Sequence, residues 1–180
     1  MPVYISLLRA VNLLGHNRIS MARLRSLHES LGFTDVTTYI QSGNVVFRCT
    51  RRRTASIART IEKAISNEEG LTVAVTVRTA AELAATIAHN PFAAIGPDQT
   101  RFLHVAFLTA VPEAARQKAL DGDRFAPERF AIRGSEIYLY LPNGVARTKL
   151  STAYFERTLK VTATVRNWRT VCTLHDLASK

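Results

Sequence analysis

The 180-residue sequence predicts an α+β chain made of two βαββαβ units in tandem, each followed by an extra C-terminal helix. Three observations carry this. The pattern of strand-like and helix-like segments runs through once and then starts again. The fourth strands of the two halves end alike, on Val77-Arg78-Thr79 and Val165-Arg166-Asn167. The composition, 47% hydrophobic and 21% charged, is that of a chain able to bury a core.

In the first half, residues 3–9 are an apolar stretch of β-formers and read as the first strand. Residues 10–19, with Asn, Gly and His among them, read as a long loop. Ser20 caps a helix whose apolar face is Met21, Leu24, Leu27 and Leu31, and Gly32 stops it. Residues 36–41, β-branched and aromatic, make the second strand. Ser42-Gly43-Asn44 is a turn into the third, residues 45–49. A helix over 54–67 sets Ile57, Ile61, Ala64 and Ile65 on one face. Residues 71–78 follow as the fourth strand. Thr79 and Glu82 then have the spacing of a capping box, opening a helix that Asn90-Pro91 ends near His89.

The second half repeats the order. Residues 101–109 are a strand, and Pro112 is placed in the first turn of a helix reaching Leu120. Residues 130–133 and 136–141 pair about Gly134-Ser135. Pro142-Asn143-Gly144 breaks the chain, and Ser151 caps a helix to about Lys160. Residues 161–165 are the last strand and 168–177 the last helix. A βαββαβ order is that of the ferredoxin-like split βαβ arrangement. The expected division is residues 1–92 and 101–180, with a linker over 93–100 where Pro91, Gly96 and Pro97 cluster.

That topology gathers polar segments at strand ends. Loop 10–19 and turn 42–44 share one end of the first unit. Residues 142–150 and Arg166-Asn167-Trp168 share the opposite end of the second. The expectation is that the two ends face each other across one cleft.

Charge narrows the ligand. The net charge is +10, and nineteen of the 24 basic residues are Arg. Such a field draws phosphate-bearing ligands or nucleic acid. Most of the Arg are scattered, and only Arg51-Arg52-Arg53 forms a run. No apolar run is long enough for a membrane span, so no membrane partner is expected. The N-terminus reads as a strand rather than a leader, and a cytoplasmic protein is expected. Cys49 and Cys172 lack C-x-x-C spacing and read as free thiols. Walker A, H-E-x-x-H, Rossmann and zinc-ligand patterns are missing, so neither cofactor nor metal is expected. Residues 45–48 lack the stacking string of an RNA-recognition strand. Oligomeric state is left open.

Several strings together resemble a bacterial family. They are Leu7-Leu8-Arg9-Ala10-Val11-Asn12, Gly15-His16-Asn17, Met21-Ala22-Arg23-Leu24, the run from Thr38 through Gln41-Ser42-Gly43-Asn44 to Phe47, Asn90-Pro91-Phe92, and Arg166-Asn167-Trp168-Arg169-Thr170-Val171. The resemblance is to the domain-of-unknown-function 1697 family and covers nearly the whole chain. It implies two ferredoxin-like domains and no established activity. Two strings depart from the family pattern. Leu13-Leu14-Gly15 stands where Val-Gly-Gly is usual, and Arg147-Thr148-Lys149 where Gly-Ser-Lys or similar is usual. A Gly at position 14 would permit close backbone approach that Leu14 does not.

The candidate ligand contacts are Arg9, Asn12, His16, Gln41, Ser42, Gly43 and Asn44 from the first half. Lys149, Arg166, Asn167 and Trp168 join them from the second. Arg and Lys suit phosphate or carboxylate. Lys149 precedes a helix N-terminus, a favourable place for an anion. Ser42 or His16 could act chemically, yet no base or G-x-S-x-G string accompanies Ser42. Three readings follow: a binding module for an anionic, phosphate-bearing ligand; an enzyme on a small phosphorylated or nucleotide substrate; and a structural or protein-interaction role.

Overall fold

Alternation puts Tyr4, Ser6 and Leu8 of the first strand, β1 (Val3–Leu8), on the face that packs under helices. Above them lie α1 (Met21–Ser30), through Leu24 and Leu27, and α2 (Thr54–Glu69), through Ile57, Ile61 and Ile65. In α2 these apolar positions recur at helical spacing, which is why it forms as a buried-face helix. Each fully buried Ile or Leu contributes about 1.5–3 kcal/mol. Strands β2 (Thr34–Tyr39), β3 (Asn44–Arg48) and β4 (Val75–Thr79) complete the sheet in the order β2-β3-β1-β4, all neighbours antiparallel. Phe33 and Phe47 stack in this core with centroids 4.6 Å apart. The edge strand β2 is bulged between Thr34 and Thr37. Asp35 there holds φ +51°, and its Oδ2 lies 3.1 Å from Arg48 Nε.

The computed structural model describes residues 1–13 and 15–180. They divide into two units, one of Met1–Ala85 with Thr173–Lys180, the other of Thr86–Cys172. Helix α3 (Ala80–Ala88) follows β4. Its capping box is as expected: Thr79 N donates to Glu82 Oε2 at 2.7 Å, and Glu82 N to Thr79 Oγ1 at 3.1 Å.

The second unit repeats the plan. Strands β5 (Leu103–Leu108), β6 (Arg129–Arg133), β7 (Glu136–Tyr140) and β8 (Ala163–Asn167) order as β6-β7-β5-β8. Helices α4 (Ala114–Lys118) and α5 (Thr152–Leu159) accompany them, and α6 (Trp168–Ala178) starts in this unit, its residues from Thr173 on belonging to the first. The core gathers Leu108, Ile137, Leu139, Phe155 and Leu159. The chain is thus α+β, with two tandem ferredoxin-like units.

Several elements differ from the sequence expectation: β2 spans Thr34–Tyr39 rather than 36–41, so Gln41 falls in the turn, and β5 starts at Leu103 rather than 101 because Pro97–Phe102 form a 3-10 turn. Pro112 lies ahead of α4 rather than in its first turn, because the chain enters the helix only after the N-cap Glu113. Residues 71–74 precede β4 instead of belonging to it. β8 begins at Ala163, because Lys160 ends α5 in the left-handed conformation and the chain needs two residues to regain the sheet. Arg166 and Asn167 are therefore the end of the strand itself. Among the described residues no helix is long and apolar enough to cross a membrane, and neither Cys49 nor Cys172 forms a disulfide.

Candidate functional site

The end of β1 in the first unit is held by polar side chains that act as backbone. Asn12 sits at φ +54°, a conformation Asn tolerates better than most residues. Its Nδ2 donates to the carbonyls of Ile19 and Gln41, each at 2.8 Å, and its Oδ1 accepts from Ile19 N at 2.9 Å. One amide thus closes loop 10–19 and ties it to the β2–β3 turn. Asn17 Nδ2 adds a bond to Ala10 O at 3.2 Å. In the turn, Asn44 Nδ2 donates to Tyr39 O and to Ser42 Oγ, and Leu8 N donates to Gly43 O. Replacing Asn12 by Ala is expected to lower stability by about 2–3 kcal/mol, since three bonds and a tolerated left-handed residue are lost together. A shift of the urea midpoint measures it.

These braces open a crevice of about 420 Å³ lined by Asn12, Gly15, Arg18, Ile19, Ser20 and Gln41. Gly15 holds the left-handed φ +82°, and the Arg18 guanidinium lies beside it, Nη2 3.6 Å from where a Cβ would stand. Among the described residues no acid lines the crevice and no carboxylate pairs with Arg18. Ser20 caps α1 beside it, accepting from Arg23 N. Backbone strain concentrates here too. Of the six non-glycine residues with positive φ among the described residues, Ala10, Asn12, Asn17 and Ile40 belong to these two segments. Ile40, at φ +49°, is β-branched and exposed, a conformation that costs about 1–3 kcal/mol.

Of the residues expected at a site, the crevice brings together Asn12 and Gln41. Arg9 is half-buried at the end of β1, its N–H donating to Ala74 O. His16 is exposed on the loop, outside the crevice lining. Ser42 is half-buried, while Gly43 and Asn44 are buried and form the frame of the turn. The departure at Leu14 lies outside the described residues. Sequence reading missed Arg18, Gly15, Ile19 and Ser20. The available signal was position: Arg18 stands two residues before the α1 cap, inside the loop already singled out.

The remaining expected contacts lie in or at the end of the second unit. Lys149 is exposed ahead of α5. Beneath its loop lies a carboxylate: Glu128, only 6% exposed, accepts from Thr148 Oγ1 at 2.9 Å. A like charge there weakens the pull on an anion. Arg166 is 8% exposed and donates to Val165 O, and burial pushes its pKa down to about 10. Asn167 works as a cap, its Oδ1 accepting from Thr170 N at 2.8 Å, and Trp168 is half-buried at the start of α6. Among the described residues no group of His, Cys, Asp and Glu could hold a metal ion.

Comparison with known proteins adds a family and a fold. Residues 1–138 match the family described as "Protein of unknown function (DUF1697)". The solved structure of conserved bacterial protein SP0830 from Streptococcus pneumoniae is similar, with a TM-score of 0.69 and 22% identity over 98% of each chain. At that identity the likeness shows the fold. No curated protein matches the chain.

Proposed function

Because the chain belongs to the DUF1697 family, which is described as having no known function, its role has to be read from its own residues, and we propose that it binds an anionic, phosphate-bearing ligand at the crevice of the first unit. The observation that carries this reading is the Arg18 guanidinium, unpaired among the described residues, in a crevice whose lining holds no acid. A guanidinium presents a planar fork of donors that matches phosphate oxygens. The Ser20-capped start of α1 adds a favourable local field. Asn12 is engaged in bracing, so it shapes the crevice, and Gln41 is left to offer its side-chain amide.

The test is calorimetric titration with inorganic phosphate, pyrophosphate and nucleoside monophosphates. Arg18→Ala should weaken the strongest of these at least tenfold, about 1.4 kcal/mol. Its thermal midpoint should hardly move, because the side chain is exposed. Equal affinity in the two proteins, or no binding of any of the three compounds to the native chain, overturns the reading.

A further inference from the structure

The outer face of α2 carries a charge arrangement that folding does not call for. Arg51, Arg52 and Arg53 lead into the helix, and Arg59 and Lys63 follow on it, all five exposed. Arg59 and Lys63 stand one turn apart on one face. Arg51 is drawn along the helix, its Nη1 donating to Thr60 Oγ1 at 2.6 Å. At about 1.5 Å rise per residue the basic stripe is some 15 Å long.

None of the acids of α2 forms an ion pair with these five side chains among the described residues, although Glu62 lies beside Arg59 and Lys63. Glu62 accepts from Val75 N at 2.8 Å, and Glu68 and Glu69 at the far end pair with Arg23. Arg52, Arg53, Arg59 and Lys63 have no ion pair among the described residues. The N-cap of α2 is Arg53, with no side-chain cap and no acid in the first turn. Cations at that end oppose the helix dipole, so this placement works against helix stability. A local rule broken without structural gain points to a surface kept for a partner.

We infer that this face of α2 tracks the phosphate backbone of a nucleic acid. The arrangement fits a regularly charged polyanion: several cations in a row, Arg in the majority, with Glu62 the one acid between them and its Oε1 turned to Val75 N. A membrane surface fits less well. Among the described residues the exposed large apolar side chains are Met1, Leu13, Ile40, Val111 and Val145, none of them on α2, so this helix face offers no hydrophobic edge to lipid. This surface is separate from the Arg18 crevice, and the inference stands without it.

The experiment is fluorescence anisotropy of short labelled RNA and DNA at several salt concentrations. The native chain should bind with an affinity that falls steeply with salt. The double variant Arg52→Glu/Arg53→Asp should lose at least tenfold in affinity at low salt. Its log–log salt slope should be shallower by about 1.4–1.8, two contacts at 0.7–0.9 each. Its melting temperature should rise, because acids at that end favour the dipole and Asp caps better than Arg. Loss of binding therefore cannot be laid to unfolding. The charge-matched variant Lys118→Glu/Arg133→Glu, in the second unit, should bind within about twofold of native, because removing charge away from a phosphate-contacting stripe changes only the diffuse field. Equal losses in the two variants would mean attraction by net charge alone and overturn the inference, as would no binding at low salt.

Discussion

Unfolding free energy should fall by roughly 2 kcal/mol between pH 7 and pH 5, and most of that fall should vanish when His28 is replaced. His28 is fully buried in the first unit's core. Its Nδ1 faces the Leu24 carbonyl at 2.9 Å, an acceptor, so Nδ1 carries the proton. Nε2 is then the acceptor, and the buried Ser6 hydroxyl donates to it at 3.0 Å. The neutral ring is fully satisfied. A second proton would turn Nε2 into a donor, with Ser6 Oγ accepting, and put a charge in the core beside Phe33 and Phe47. Burial is the main cause that pushes the pKa down from 6.5 to about 4, and the bond to Leu24 O opposes it weakly. A histidine with a depressed folded pKa binds fewer protons folded than unfolded. Its contribution is full above pH 6.5 and is lost as pH falls from there towards 4. Burial depresses His104 in the same direction, so the native chain keeps a smaller slope from that residue. Urea melts at the two pH values for native and His28→Gln proteins read the difference. Should the variant fold too poorly, the His28 ring resonance in the native protein serves instead and should stay unshifted down to pH 5. A ring that titrates near 6.5 would show the site to be hydrated and the prediction wrong.

The second large effect is expected at Gly43. Its φ is +75°, and a Cβ there would stand 2.5 Å from Val11 Cγ2 and 2.8 Å from Leu8 Cβ. Val11 and Leu8 are buried, so neither can yield without disturbing the core. Gly43→Ala should cost about 3 kcal/mol or more, combining left-handed strain with overpacking. Two other glycines separate the causes. Gly70 has φ +66° with nothing within 4 Å, so Gly70→Ala should cost only the conformational part, about 1 kcal/mol. Gly96 has neither feature, and Gly96→Ala should be neutral or stabilising by a few tenths of a kcal/mol. Ordering of the three losses as Gly43, Gly70, Gly96 is the expected result. A Gly43 loss no larger than that of Gly70 would mean that the turn shifts freely. Because that turn carries Gln41, Gly43→Ala should also weaken anion binding at the crevice.

Much of the fold was legible because its signals are local. Alternation in Val3–Leu8, the Ile57–Ile61–Ile65 stripe and the Thr79–Glu82 box each lie within one element, where a period or a cap can be read directly. The repeat of the element order was enough to give two sheets of the same topology. Boundaries were less legible. Residues 71–74 carry the β-branched pattern of a strand, yet the sheet begins at Val75, where pairing with Leu8 starts. Pairing partners, not propensity, decide where a strand begins.

The candidate site was legible as a neighbourhood and not as a mechanism of support. Asn12 and Gln41 were singled out for their polarity. That Asn12 ties its loop to Gln41 depends on residues 29 apart in sequence. Serine 6 and His28, 22 apart, meet only because α1 lies across β1. Likewise, that Arg18 lacks a carboxylate while Arg23 holds two follows from where α2 ends. The sequence by itself determined the element order, the duplication, the apolar faces and the excess of arginine, all properties of short-range pattern and composition. Only the tertiary structure decided which polar groups are braces and which are left for a ligand, because a hydrogen bond or ion pair is settled by positions in space that no local period encodes.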